Sequence, residues 1–186
     1  MKLTYSKRNA ERKSETKRLR LAGAIPSIIY TRGQESTNIA VQTSDFTSLV
    51  RNVKPGHLSA QVFSLVGEDG SQRRALLKGI QYEPTTYQVI HLDFEELVEG
   101  HKVNVKVPIE WVGAADAVGV KLGFVLRAVI RSMPVSCLPE HIPTSFQLDV
   151  RTMGARDVKR LKDLEIPENV RPLKDLNEVI VVMAKR

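Results

Sequence analysis

The chain has 186 residues, 42% hydrophobic and 26% charged, which allows one or two domains and excludes wholesale disorder. No apolar run approaches the roughly 20 residues that cross a bilayer, and no apolar secretory core follows the basic N-terminus. A single cysteine, Cys137, excludes an internal disulfide framework, so a reduced, cytosolic protein is expected.

The opening residues 3–5 read as a short strand. Residues 14–22 read as a helix, with Ser14 as N-cap, although Lys17 stands where a capping box wants Glu. Gly23 is a natural C-cap and Pro26 prevents continuation. Leu19 and Ala22 share one face of this helix, while Lys17, Arg18 and Arg20 cover much of the rest. Residues 25–30 (IPSIIY) are β-prone, and Arg32-Gly33-Gln34 breaks the run. Ile39 and Val41 alternate in a half-buried strand over 38–42. Thr43 or Ser44 then caps a second helix, with Phe46, Leu49, Val50 and Val53 on its apolar side and Pro55-Gly56 at its end. Residues 60–66 and 73–82 form a hairpin around the turn Glu68-Asp69-Gly70. Pro84 and Thr85 turn the chain again, and residues 87–94 (YQVIHLDF) are a strand.

Residues 1–95 therefore read as a mainly β domain with two short helices, and residues 96–186 as a second, β-rich domain. The acidic stretch Glu95 to Gly100 marks the boundary. Beyond it Val103, Val105, Val107 and Ile109 alternate, and Pro108 points to an edge position. Residues 124–130, 135–138, 146–150 and 179–183 are further strands, and 157–164 reads as one or two helical turns.

Charge is distributed unevenly. The first 32 residues hold nine Lys/Arg against two acids, and the other 19 basic and 19 acidic residues cancel, so the whole formal charge of +7 belongs to that arm. A basic arm on a neutral body is the footprint of a nucleic-acid binder. Aromatic residues are sparse, with only Tyr5 and Tyr30 in the arm. This favours a structured RNA or duplex, read by phosphates, shape and hydroxyls, over a stacked single strand. Arg8, Lys13, Arg18 and Arg20 are the leading candidates, since guanidinium forks suit phosphate oxygens and groove-edge acceptors.

Catalytic chemistry finds little support. His91 and Asp93 share one strand face, either as a plain polar surface or as a polar contact pair. His57, His101, His141 and Cys137 show no zinc spacing. Neither a phosphate-binding loop nor a nucleophile elbow is present, and Cys137 reads as a small buried hydrophobe. No enzyme, metal, cofactor or small-molecule substrate is expected.

The stretch KRLRLAGAIPSIIY (17–30) resembles the R-R-L-R-x-A-G-x-x-P-a-x-x-Y block of the bacterial large-subunit ribosomal protein L-twenty-five, or general stress protein Ctc, family. IQYEP…IHLDF (80–94) is similar to that family's v-Q-x-x-P…x-H-x-D-F. VKVPIEWVGAADAVGVKLGFVL (105–126), CLPEHIP (137–143) and DLEIPENV (163–170) resemble its long, two-domain form, in order. The chain departs at Arg12-Lys13-Ser14, where the family has G-K-G, and carries Thr31, Tyr82 and Phe124 where Gly, Arg and Gly are usual.

The resemblance implies a six- to seven-stranded N-terminal β-barrel with two helices, followed by a β-roll or sandwich-like C-terminal domain. It implies a structural, cytoplasmic protein of the large ribosomal subunit that binds 5S rRNA, with neighbouring ribosomal proteins as further partners and no membrane. Carried onto this chain, its RNA face is Arg8, Lys13, Thr16, Arg18, Arg20, Tyr30, Gln81, His91 and Asp93. Two other readings stay open: a stress-associated ribosome-binding factor that uses the same face, and a β-barrel module of the tRNA anticodon-binding type. The balanced charge of the second domain argues against an extensive phosphate footprint there.

Overall fold

A computed structural model describes residues 1–8, 13–31, 33 and 35–185, with only the backbone of Lys13. The chain divides into two compact units, Met1–His101 and Lys102–Arg186. The division falls at the C-terminal end of the acidic stretch.

The first unit is a closed six-stranded barrel. Its strands are β1 (Lys2–Lys7), β2 (Ala24–Tyr30), β3 (Thr37–Gln42), β4 (Val62–Gly67), β5 (Gln72–Tyr82) and β6 (Val89–Glu96), with helices α1 (Lys13–Leu21) and α2 (Thr43–Arg51). The order around the barrel is β1-β3-β2-β6-β5-β4. Two parallel pairings, β1 with β4 and β2 with β6, close the antiparallel ladders into a ring. Closure leaves the barrel no free sheet edge. Strand alternation fills the interior with Leu3, Ile25, Ile29, Ile39, Val41, Phe63, Leu65, Leu77, Leu92 and Phe94, all buried. Phe63 and Phe94 meet edge to face, with ring centroids 5.9 Å apart. Phe46 of α2 adds to the same core, and Leu49 and Val50 pack on it.

Helix boundaries differ from the sequence reading in two ways. Ser14 lies inside the first turn of α1, so it is not the N-cap, and Ala22 is exposed in the turn beyond the helix. Leu19 is the half-buried apolar contact instead. The residue preceding α2 is Gln42, without a side-chain cap, so neither Thr43 nor Ser44 caps it. Gly23 does end α1: its φ is 79°, a conformation that favours glycine, and its N–H donates to the Arg20 carbonyl. The expected break at Arg32-Gly33-Gln34 is described only at Gly33; Arg32 and Gln34 lie outside the described residues.

The second unit is almost wholly β. A four-stranded sheet runs β10 (Phe146–Asp149), β7 (Val103–Val112), β9 (Ser132–Cys137) and β12 (Val170–Pro172). A three-stranded sheet runs β11 (Val158–Arg160), β13 (Val179–Lys185) and β8 (Phe124–Ala128). A short helix, α3 (Val118–Lys121), precedes β8. Val103, Val105, Val107, Met133, Val135 and Cys137 point inward on alternate positions of β7 and β9, and burial pushes the Cys137 thiol pKa up.

Pro108 is not on an edge strand, because β7 lies between β9 and β10. The proline sits where pairing changes hands: residues up to Pro108 pair with β9, and Ile109 onward pairs with β10. A missing N–H is tolerated at that changeover. Residues 157–164 are also not helical throughout. Lys159 pairs with Val181 in β11, and only Leu161–Asp163 forms a 3-10 turn.

Candidate nucleic-acid interface

Strand β6 is the spine of the candidate site. It pairs with β2 on one side and β5 on the other, so three strands present one outer barrel face. Leu92 and Phe94 point into the core. By alternation His91, Asp93 and Glu95 point out. The register sets His91 beside Gln81 of β5, Asp93 between Gly79 of β5 and Ile28 of β2, and Glu95 beside Tyr30 of β2.

Two register breaks shape this face. The pairing of β5 with β6 skips Lys78, and Gly79 then lies opposite Asp93. A Cβ on Gly79 would stand 2.6 Å from Asp93 Oδ2, so the missing side chain is what admits the carboxylate. The second break skips Ile90. Its carbonyl accepts from both Nε and Nη2 of Arg20, at 3.3 and 3.0 Å. That bifurcated bond latches the end of α1 onto β6.

His91 Nδ1 lies 2.8 Å from Asp93 Oδ1. The contact is close enough for an ion pair, but it is off the line of a ring N–H, so the buried Nδ1 has no aligned hydrogen bond. Asp93 thus stands against a basic neighbour on its own strand. Lys78 Nζ pairs with Glu95 at 2.6 Å. The Tyr30 phenol pKa is raised, first by burial and then by the Glu95 and Asp93 carboxylates. The hydroxyl is therefore a neutral O–H donor.

A cationic corner adjoins the polar face. Arg8 follows β1 and donates Nε–H to the Ile39 carbonyl at 3.0 Å. Its pKa is lowered, first by burial and next by the Arg20 charge, against an opposing pull from Glu15. Two guanidiniums near one another make a concentrated site for an anion. Thr16 lies four residues before Arg20, on the same side of α1. Arg18 is about 200° around the helix from both, at ~100° per residue, and is exposed on the other flank.

Arg8, Arg20, Tyr30, Gln81, His91 and Asp93 are therefore gathered by pairing between distant strands, with Thr16 on the near side of the helix. Arg18 faces elsewhere. The Lys13 side chain lies outside the described residues. Two exposed tyrosines, Tyr82 and Tyr87, escaped the sequence reading as site residues, although two aromatics flanking a turn were visible in the sequence. The sequence reading begins a strand at Tyr87; in the structure that residue has φ 55° in the turn, and β6 starts at Val89. Among the described residues, no three His, Cys, Asp or Glu side chains gather as a metal site requires, and no helix is long and apolar enough to cross a membrane.

Two family profiles match the chain, one in each unit. The profile described as the ribosomal L25p family matches residues 3–94. The profile described as ribosomal protein TL5, C-terminal domain, matches residues 102–186. The chain is 43% identical over 186 residues to the large ribosomal subunit protein bL25 of Chlamydia abortus, covering 100% of both chains. It is 42% identical, again over 100% of both, to the proteins of the same name from Chlamydia trachomatis serovar A and Chlamydia pneumoniae.

Proposed function

Because this chain belongs to the ribosomal L25p family, in the form that carries a TL5-type C-terminal domain, we propose that it is a structural constituent of the large ribosomal subunit and binds 5S rRNA through its N-terminal barrel. It acts in the cytoplasm, on the ribosome, and catalyses nothing. The observation that carries this reading is the single outer face on which Arg8, Arg20, Tyr30, Gln81, His91 and Asp93 converge.

The chemistry follows from that face. Arg8 and Arg20 bind phosphate oxygens at its cationic corner. Arg18, exposed on the other flank of α1, adds positive charge there, and Lys13 is a further phosphate contact in this reading. Tyr30, Gln81 and His91 meet base edges and 2′-hydroxyls in a shallow RNA minor groove, where side chains can reach them. Asp93 orients His91 and accepts from an exposed amino or hydroxyl group. Thr16 adds a hydroxyl on the Arg20 side of the helix.

Titration of the full chain against 5S rRNA, with tRNA as competitor, tests the proposal. Binding that resists excess tRNA is expected, and log K falls with log salt by about 0.7–0.9 per neutralised phosphate. A salt-independent affinity, or equal displacement by tRNA, contradicts it.

Gly79 supplies a sharper check. In Gly79→Ala the new methyl displaces the Asp93 carboxylate and with it the His91 ring. Affinity for 5S rRNA drops about fivefold, the value of one hydrogen bond of about 1 kcal/mol. The barrel melts close to the wild-type temperature, because the clash falls on a side-chain end and not on backbone. Undiminished affinity removes Asp93 and His91 from the interface.

A further inference from the structure

A cleft of about 570 Å³ opens beside the candidate interface, between the end of α1, helix α2 and the turn that joins β5 to β6. That volume lies within the roughly 300–1,000 Å³ of small-molecule sites. Its inner surface includes Phe46 and Val50, its walls include Tyr82 and Tyr87, and Arg20 and Arg51 bring positive charge. None of the residues lining it is acidic.

We propose that this cleft receives one unpaired nucleotide of the bound RNA, its base stacked on Tyr82 and Tyr87 and its phosphate held by Arg20 and Arg51. The inference rests on the 5S rRNA reading above and extends that interface by one site. Three observations converge on it. The cleft is continuous with the proposed RNA face through Arg20, and through the hairpin, since Tyr82 directly follows Gln81. Arg20 spends one N–H each from Nε and Nη2 on the Ile90 carbonyl, which leaves the remaining three of its five for a phosphate.

The third observation is the state of the tyrosines. Tyr82 and Tyr87 are 52% and 79% exposed, and Tyr87 holds a left-handed φ of 55°. Hydrogen bonds from Tyr87 N–H to the Glu83 carbonyl and from Glu83 N–H to the Gln88 carbonyl fix that turn. A non-glycine residue kept in this conformation, with its ring in solvent, is poised for a ligand and not for the core. An aromatic wall, an apolar floor and a cationic rim match the stacking face and phosphate of a nucleotide.

The test uses the full chain and a 5S rRNA transcript, read by affinity and by base-specific chemical probing of the RNA. Wild-type protein is expected to shield an unpaired base from the probe. The double variant Tyr82→Ala/Tyr87→Ala re-exposes that base and binds about 5- to 150-fold more weakly, as for loss of base–aromatic stacking. The pair Tyr82→Phe/Tyr87→Phe keeps both the shielding and the affinity. Both rings are exposed, so these variants fold, and an unchanged melting curve verifies it.

Wild-type shielding and affinity in the alanine pair overturn the proposal and leave the 5S rRNA reading intact. The same result with poorer retention on the assembled subunit also overturns it, and gives the cleft to a protein neighbour. A wild-type chain that does not bind 5S rRNA at all removes both readings together.

Discussion

Phe94→Ala destabilises the N-terminal barrel by about 3–5 kcal/mol, the usual cost of emptying a large buried aromatic site. Phe94 is fully buried and packs edge to face on Phe63, across the interior from β6 to β4. The site has little freedom to collapse, because β6 is held on both sides, by β2 and by β5. A domain has about 5–15 kcal/mol in total, so the barrel retains only a marginal fold. The same strand carries His91 and Asp93 outward, so affinity for 5S rRNA falls together with stability.

Denaturant unfolding followed by far-UV circular dichroism measures the loss. Trp111 fluorescence does not serve, because that residue lies on β7 of the second unit. Only the transition of the barrel is expected to move. A loss below about 1 kcal/mol, far under the range for such truncations, shows that Phe94 is not the central packing residue its burial indicates.

Arg20→Ala weakens binding to 5S rRNA by about 1–3 kcal/mol, the range for a charged hydrogen bond whose partner is left behind. Two losses add in this variant. The free N–H groups no longer meet a phosphate, and the latch from Arg20 to the Ile90 carbonyl is gone. The end of α1 then keeps its packing on β2 and the hydrogen bond from Thr43 N–H to the Gly23 carbonyl. Because the side chain is exposed, stability changes much less than affinity does. Arg20→Lys restores the charge but not the planar fork that reaches two ways at once, so it recovers only part of the binding. Full recovery by lysine reduces the role of Arg20 to simple charge. Wild-type affinity in the alanine variant takes it out of the interface.

What was legible in the sequence was local. The turn Glu68-Asp69-Gly70 and its flanking alternation placed β4 and β5, and the valines at 103, 105 and 107 placed β7. Short-range patterns failed where a neighbour in space decides the structure. Residues 158–160 form a strand because β13 pairs with them, although their own sequence, VKR, has little β character. The three-residue β12, which ends on Pro172, went unread for the same reason. Pro108 reads as an edge residue until the register shows that its neighbours switch partners there.

The proposed interface divides in the same way. The resemblance named the residues, but not their arrangement. Arg8 comes near enough to Arg20, and Tyr30 to Asp93, for their charges to be felt through pairings of β1 with β3 and β2 with β6 that no local pattern encodes. The role of Gly79 depends on a register break opposite Asp93, which is likewise invisible along the chain. Arg18, grouped with Arg20 by sequence, is set apart from it by the turn of the helix.

The central claim is that the barrel alone carries the 5S rRNA site. Separate titrations of residues 1–101, residues 102–186 and the full chain against 5S rRNA, with tRNA as competitor, address it most directly. The account predicts that 1–101 binds about as tightly as the full chain and resists tRNA, while 102–186 does not bind. Binding by the full chain alone, or by 102–186, contradicts it and moves the RNA contacts away from the face built on β2, β5 and β6.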